Sequence, residues 1–215
     1  MKRIILFIVL AVLSIFFTCY YYMNLKISRG RDDYNYAEIY TSTAVDFLEE
    51  NLLYSSIGIQ LIDINGDSVK ELVIMGSPGQ GGDLFTIVNG NVIHVETDGF
   101  PVFGEYGVFV YYPELCVFQD VYENVGEEQS EVSTWFFQID KNGKAELIEE
   151  AITKYDYSED RLTYFIDGNE VSEKEYDNRM ARYNSNSEKT VQYYDCKQVS
   201  SKQEIVDYLL DEDQY

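Results

Sequence analysis

Basic residues are scarce: Lys and Arg total 16 against 38 Asp and Glu in 215 residues, a formal net charge of −22. So acidic a surface repels phosphate backbones, which excludes nucleic acid and leaves cations or basic partners as the charged species it can attract. Histidine is rarer still. The one histidine, His94, lies in an apolar run that reads as a strand, where histidine is usually structural. There is no His-Glu-x-x-His pair and no Gly-x-Ser-x-Gly elbow, so two common hydrolytic designs lack their residues. Cysteine is limited to three: Cys19 falls in the N-terminal apolar run, and Cys116 and Cys196 can form one bridge or remain two buried thiols. The glycine run at residues 76–82 lacks the lysine and hydroxyl of a phosphate loop. These absences favour a binding protein over an enzyme. A hydrolase with an unrecognised carboxylate pair is the alternative, because so many acids place some pair at a working spacing by chance.

What is present begins with one long apolar run. Residues 4–23 carry no charge and follow Lys2 and Arg3. As a helix rising about 1.5 Å per residue they would extend roughly 30 Å, the thickness of a hydrocarbon core. Residues 1–23 therefore read as a signal or transmembrane anchor, with Tyr20, Tyr21 and Tyr22 at the outer interface. The alternative is a lipoprotein cleaved before Cys19, although Phe16 and Phe17 suit signal peptidase badly. Charge bias does not orient the span, since Lys26, Arg29 and Arg31 balance Lys2 and Arg3. Residues 24–35 read as a juxtamembrane tether. Residues 36–215 read as one extracytoplasmic domain, long enough to bury a core.

The chemically specific stretch is residues 63–71, where Asp63, Asn65, Asp67 and Glu71 set oxygen-bearing side chains at alternate positions between two aliphatic strands. With the Val69 carbonyl they form the hard-oxygen ligand set that Ca²⁺ prefers. Gly66 permits the reversal such a loop needs. A twelve-residue EF-hand loop fails here, because Ser68 and Ile74 stand where it needs glycine and glutamate. The shorter loop resembles the calcium loop of integrin-type FG-GAP repeats and their bacterial relatives. It departs from that pattern in Gly66 at the fourth place, Ser68 at the sixth, and glutamate instead of aspartate at the ninth. The resemblance implies bound Ca²⁺ at Asp63, Asn65, Asp67, Val69 and Glu71; an Asx-rich turn without metal is the other reading.

The rest alternates short strands with a few helices. Ile39, Ala44, Val45, Leu48 and Leu52 recur at helical spacing over residues 36–53. Strands are expected at 59–62, 72–75, 84–88, 92–95, 108–112, 115–122, 132–139, 145–149 and 162–166, with an Asn89-Gly90 hairpin among them. The turn at 140–144 carries Lys141 and Lys144 and reads as an ordinary hairpin. The acidic stretch 123–131 reads as a solvated loop. Ser172 with Glu175, and Ser201 with Glu204, are capping boxes opening a helix toward Tyr183 and another at 205–210. The strand, Asp167-Gly168 turn, Glu-Val-Ser-Glu and tyrosine-bearing helix resemble a segment of uncharacterised membrane-attached surface proteins of Gram-positive bacteria, where it often follows an Asp-x-Asn-Gly-Asp loop. That resemblance implies a surface location and no reaction. Together these readings predict an α+β protein, an antiparallel meandering sheet with flanking helices behind an N-terminal anchor helix. Its expected role is a membrane-anchored, extracytoplasmic calcium-binding module for a protein or glycan ligand.

Overall fold

The computed structural model describes residues 35–50, 56–76, 82–97, 108–184 and 188–212. The expected anchor, and the tether up to its last residue, lie outside the described residues, and among the described helices none is long and apolar enough to cross a membrane. Helix α1 (Tyr36–Glu50) is capped by Asn35, whose Oδ1 accepts the Glu38 N–H at 3.0 Å. Four strands follow: β1 (Ile57–Ile62), β2 (Glu71–Met75), β3 (Gly82–Val88) and β4 (Asn91–His94). Asn89 and Gly90, at φ of 53° and 77°, make the tight turn that their pairing predicts. Six more strands run up and down: β5 (Val108–Tyr112), β6 (Val117–Val125), β7 (Gln129–Ile139), β8 (Ala145–Asp156), β9 (Arg161–Ile166) and β10 (Asn169–Val171). Helix α2 (Glu173–Asn184), β11 (Lys189–Gln192), β12 (Lys197–Val199) and helix α3 (Lys202–Glu212) complete the described chain.

The strands build two antiparallel sheets, where the sequence predicted one meander. The first has the order β12-β1-β2-β3-β4 and the second β10-β9-β8-β7-β6-β5-β11. Hydrophobic alternation shows that a segment is a strand but not which neighbour it takes. Here β11, of 4 residues, returns to β5, while β12, of 3 residues, returns to β1. The expected acidic loop is also shorter than predicted. Strand β6 continues to Val125 and β7 begins at Gln129, closed by the Gly126 N–H donating to the Gln129 carbonyl at 2.8 Å.

Period-two alternation then stacks the elements in four layers. Ile57, Ile59, Leu72 and Ile74 of the first sheet pack under α1 and α3, with Tyr40, Ala44, Ile205 and Leu209. The opposite face, with Ile62, Val73, Met75 and Leu84, meets Phe109, Phe118, Trp135 and Phe137 of the second sheet. The far face of the second sheet packs Val117, Phe136, Ala151 and Ile166 against Tyr183 of α2. The Lys-bearing hairpin is the ordinary turn expected, and its tip rests on the first sheet. A Cβ on Gly143 would lie 2.9, 3.0 and 3.1 Å from methyls of Thr86, Ile93 and Val88.

Candidate metal site

The loop of residues 63–70 joins β1 to β2, and both its ends are held by core residues. Ile64 packs between the sheets and Val69 beneath the helices. Two tyrosines of α1 grip the far end, through the Lys70 N–H donating to the Tyr36 hydroxyl at 3.0 Å and the Tyr40 hydroxyl donating to the Lys70 carbonyl at 3.1 Å. The helical spacing read from the sequence places Ile39, Ala44, Val45 and Leu48 inward, whereas the buried side chains of α1 include Tyr36 and Tyr40, and nothing local shows that their hydroxyls reach residue 70. Ser68 and Gly66 both take left-handed backbone, at φ of 72° and 74°. On the other side, the loop lies against the turn between β5 and β6: a Cβ on Gly66 would come 2.8 Å from Cys116 Sγ.

Four of the five predicted ligand positions fall in this loop and the fifth, Glu71, opens β2, but the ligand side chains divide into two groups. Asp63 is turned onto the backbone, its carboxylate accepting the Gly66 N–H at 2.8 Å and the Ser68 N–H at 3.1 Å. Asn65, Asp67 and Glu71 converge through one amide: Asn65 Nδ2 donates to Asp67 Oδ2 at 3.1 Å and to Glu71 Oε1 at 3.3 Å. Asn65 Oδ1 accepts the Asp67 N–H, and Asp67 Oδ1 accepts the Val69 N–H at 2.8 Å. Glu71 is fully buried and also receives the Ile64 N–H at 2.7 Å and the Thr86 hydroxyl at 2.9 Å. Burial pushes its carboxyl up to about 8, with the charges of Asp67 and Asp63 adding to the rise and the Ile64 and Thr86 hydrogen bonds opposing it.

This arrangement fits a cation in one respect and not in another. The positive end of an amide dipole sits between two carboxylates, the place a cation would take. A half-turn about the terminal torsion of Asn65 would exchange that nitrogen for an oxygen. Against this, the loop's backbone N–H groups already occupy much of the carboxylate surface. Among the described residues no three His, Cys, Asp or Glu side chains are gathered as a metal-holding group.

Elsewhere, Cys116 and Cys196 are free thiols, neither within a strand. Cys116 occupies the turn before β6 at φ 53°, and Cys196 is buried ahead of β12 with its thiol pushed up to about 12 by burial. His94 pairs with Asp83 at 2.8 Å and stacks on Phe85. Two buried acids escaped sequence reasoning. Glu149, beside an irregularity in the β7–β8 register, accepts from Arg179 and, at 2.6 Å, from the Tyr183 hydroxyl. Asp120 lies on the face of β6 directed between the sheets, opposite Trp135, and its Oδ1 has no hydrogen-bond partner. Burial pushes Asp120 up to about 6. Neither signals itself locally, because an acid within an alternating strand normally reads as its solvent face. Compared with protein-family models, curated proteins and solved structures, this chain matches none.

Proposed function

We propose that this protein is a membrane-anchored, extracytoplasmic binding module whose loop at residues 63–71 takes up Ca²⁺. The observation that carries the metal reading is the convergence of Asn65, Asp67 and buried Glu71 on a single amide group. Asp63, the Val69 carbonyl and these three side chains would hold the ion. Its contribution would be charge neutralisation: three carboxylates in one turn repel one another until a cation compensates them. Since the loop joins two core strands, the effect would be on stability and not on a reaction. The likeness to FG-GAP-type loops supports the same reading, and residues 4–23 support the anchor. A second reading, an Asx turn without metal, is favoured by the backbone N–H groups that Asp63, Asn65 and Asp67 already accept.

Melting of the full-length protein in Ca²⁺, in Mg²⁺ and in chelator tests the choice. Extracellular calcium modules bind at about 10⁻⁴ to 10⁻³ M, so about 1 mM Ca²⁺ should stabilise by about 0.4 to 1.4 kcal/mol. Asp63→Ala should abolish the gain, and Asp140→Ala in the Lys-bearing hairpin should leave it. Identical melting in all three conditions, with no heat of calcium binding, would establish the bare turn. The mass of the native membrane form separately tests the anchor, a diacylglyceryl Cys19 at its start being the contrary result.

A further inference from the structure

The outer face of the second sheet is longer than the helix that covers it. Alternation from Val117, buried under α2, places Val121, Glu123 and Val125 on that same face of β6. Register carries the face across to Val132, Tyr155, Leu162 and Tyr164 on β7 to β9. Helix α2 has 12 residues, about 18 Å, while β7 and β8 have 11 and 12 residues, about 40 Å. Its cover ends near Tyr164, whose ring packs at a tilt against that of Tyr176, with centroids 5.0 Å apart. Beyond it Val125 is 65% exposed and Leu162 47%. This end is held together, since the Tyr157 N–H donates across to the Glu128 carbonyl at 3.0 Å and joins the two hairpin turns.

The strand positions of this face carry charge of one sign. Tyr155 donates its hydroxyl to Asp160. Tyr164 has Glu173 and Asp177 beside it, which, after desolvation, raise its pKa. Glu123 stands between half-buried Val121 and exposed Val125. No strand position on the face carries Lys or Arg: Lys154 and Arg161 fall at the opposite parity, where Lys154 pairs with Glu131 at 2.8 Å. Tyr155 and Tyr164, both half-buried, thus each present a ring edge beside a carboxylate, a combination that suits an ammonium or guanidinium group.

We propose that this uncovered face docks a cationic amphipathic segment of a partner protein, its apolar residues on Val125 and Leu162 and its Lys or Arg groups at the tyrosine–carboxylate pairs. This names the partner class for the binding-module reading and rests on it, independently of calcium. Anionic membrane surfaces and other acidic partners are disfavoured by the same charges.

The test is binding of a fluorescent Leu/Lys peptide with helical spacing to the full-length protein in phosphatidylcholine vesicles. Two control peptides replace Lys by Glu or Leu by Ser. The Leu/Lys peptide should bind and both controls should fail. Val125→Asp and Leu162→Asp should each weaken binding about tenfold, as should the pair Asp160→Asn with Glu173→Gln. Glu49→Gln with Glu50→Gln, on α1 at the other side of the molecule, should change nothing. Val125→Asp, at the more exposed position, serves if Leu162→Asp unfolds. Equal binding of the Ser peptide, or loss on changing α1 instead of this face, would show attraction by net charge alone and overturn the proposal. Retention of peptides by another face would overturn it while leaving the binding-module reading standing; failure to retain any of a broad peptide and glycan panel would remove both.

Discussion

Replacing Asp120 with Asn should remove a defined part of the pH dependence of stability. In the folded chain burial raises this carboxyl from 3.8 to about 6, opposed only by the Val121 backbone hydrogen bond. At about 1.4 kcal/mol per unit, the difference corresponds to roughly 3 kcal/mol. Because the folded pKa is the higher, the folded chain holds the proton more tightly. The stabilisation is complete below about pH 3.8 and is lost as pH rises through about 6. Asn keeps the shape and cannot ionise, so the stability of Asp120→Asn relative to wild type should increase by about 2 to 3 kcal/mol between about pH 4 and pH 8. Glu71, itself pushed up to about 8, titrates in both proteins and cancels in the difference. Urea unfolding across that range measures it. The single tryptophan, Trp135, lies opposite Asp120 on the next strand and supplies the fluorescence signal. A difference that stays flat with pH, or a wild type that gains on the variant as pH rises, would refute the reasoning, because the carboxylate would then have compensation that its surroundings do not show.

Gly66→Ala should lower the urea midpoint, with a cost on the order of 1 to 2 kcal/mol, since the residue sits at φ 74° and its new methyl would meet Cys116 Sγ at 2.8 Å. Adding Cys116→Ala should recover the part due to contact and leave the part due to backbone. Tyr183→Phe should cost about 1 to 3 kcal/mol, because it strips one donor from a carboxylate that is 2% exposed. A midpoint unchanged by Tyr183→Phe would mean that Arg179 alone satisfies Glu149.

The parts of this fold that the sequence made legible are those whose cause is local. Asn89-Gly90 needs only its own two backbones to make a turn. Ser172 and Ser201 reach just three residues on, and the Glu175 and Glu204 N–H groups do donate to them, at 3.3 and 3.4 Å. The loop of residues 63–70 was visible because its acids interrupt two runs that are largely buried. What stayed hidden depends on distant partners. Glu149 ended the predicted strand at its own position, yet β8 continues to Asp156, since Arg179 and Tyr183 arrive thirty and more residues later to receive that acid. Asp120 carried no local mark, because strands covered on both faces leave no empty side for alternation to show. The division into two sheets was out of reach for the same reason: nothing in residues 197–199 states that Ile57 awaits them.

That last pairing bears on how the chain is made. Val199 lies opposite Ile57, and α3 packs against α1, so the first sheet contains both the earliest and the latest described strands and is covered by the earliest and latest described helices. A nascent chain therefore holds the outer edge of β1 open until roughly 140 further residues have been synthesised, and closing so long a span is slow. Throughout that interval an unpaired strand of isoleucine and leucine is available to any other strand nearby. The short β12 and α3 act as a latch fastened last, and a product ending just before Lys197 would lose the latch while keeping nearly all of the core.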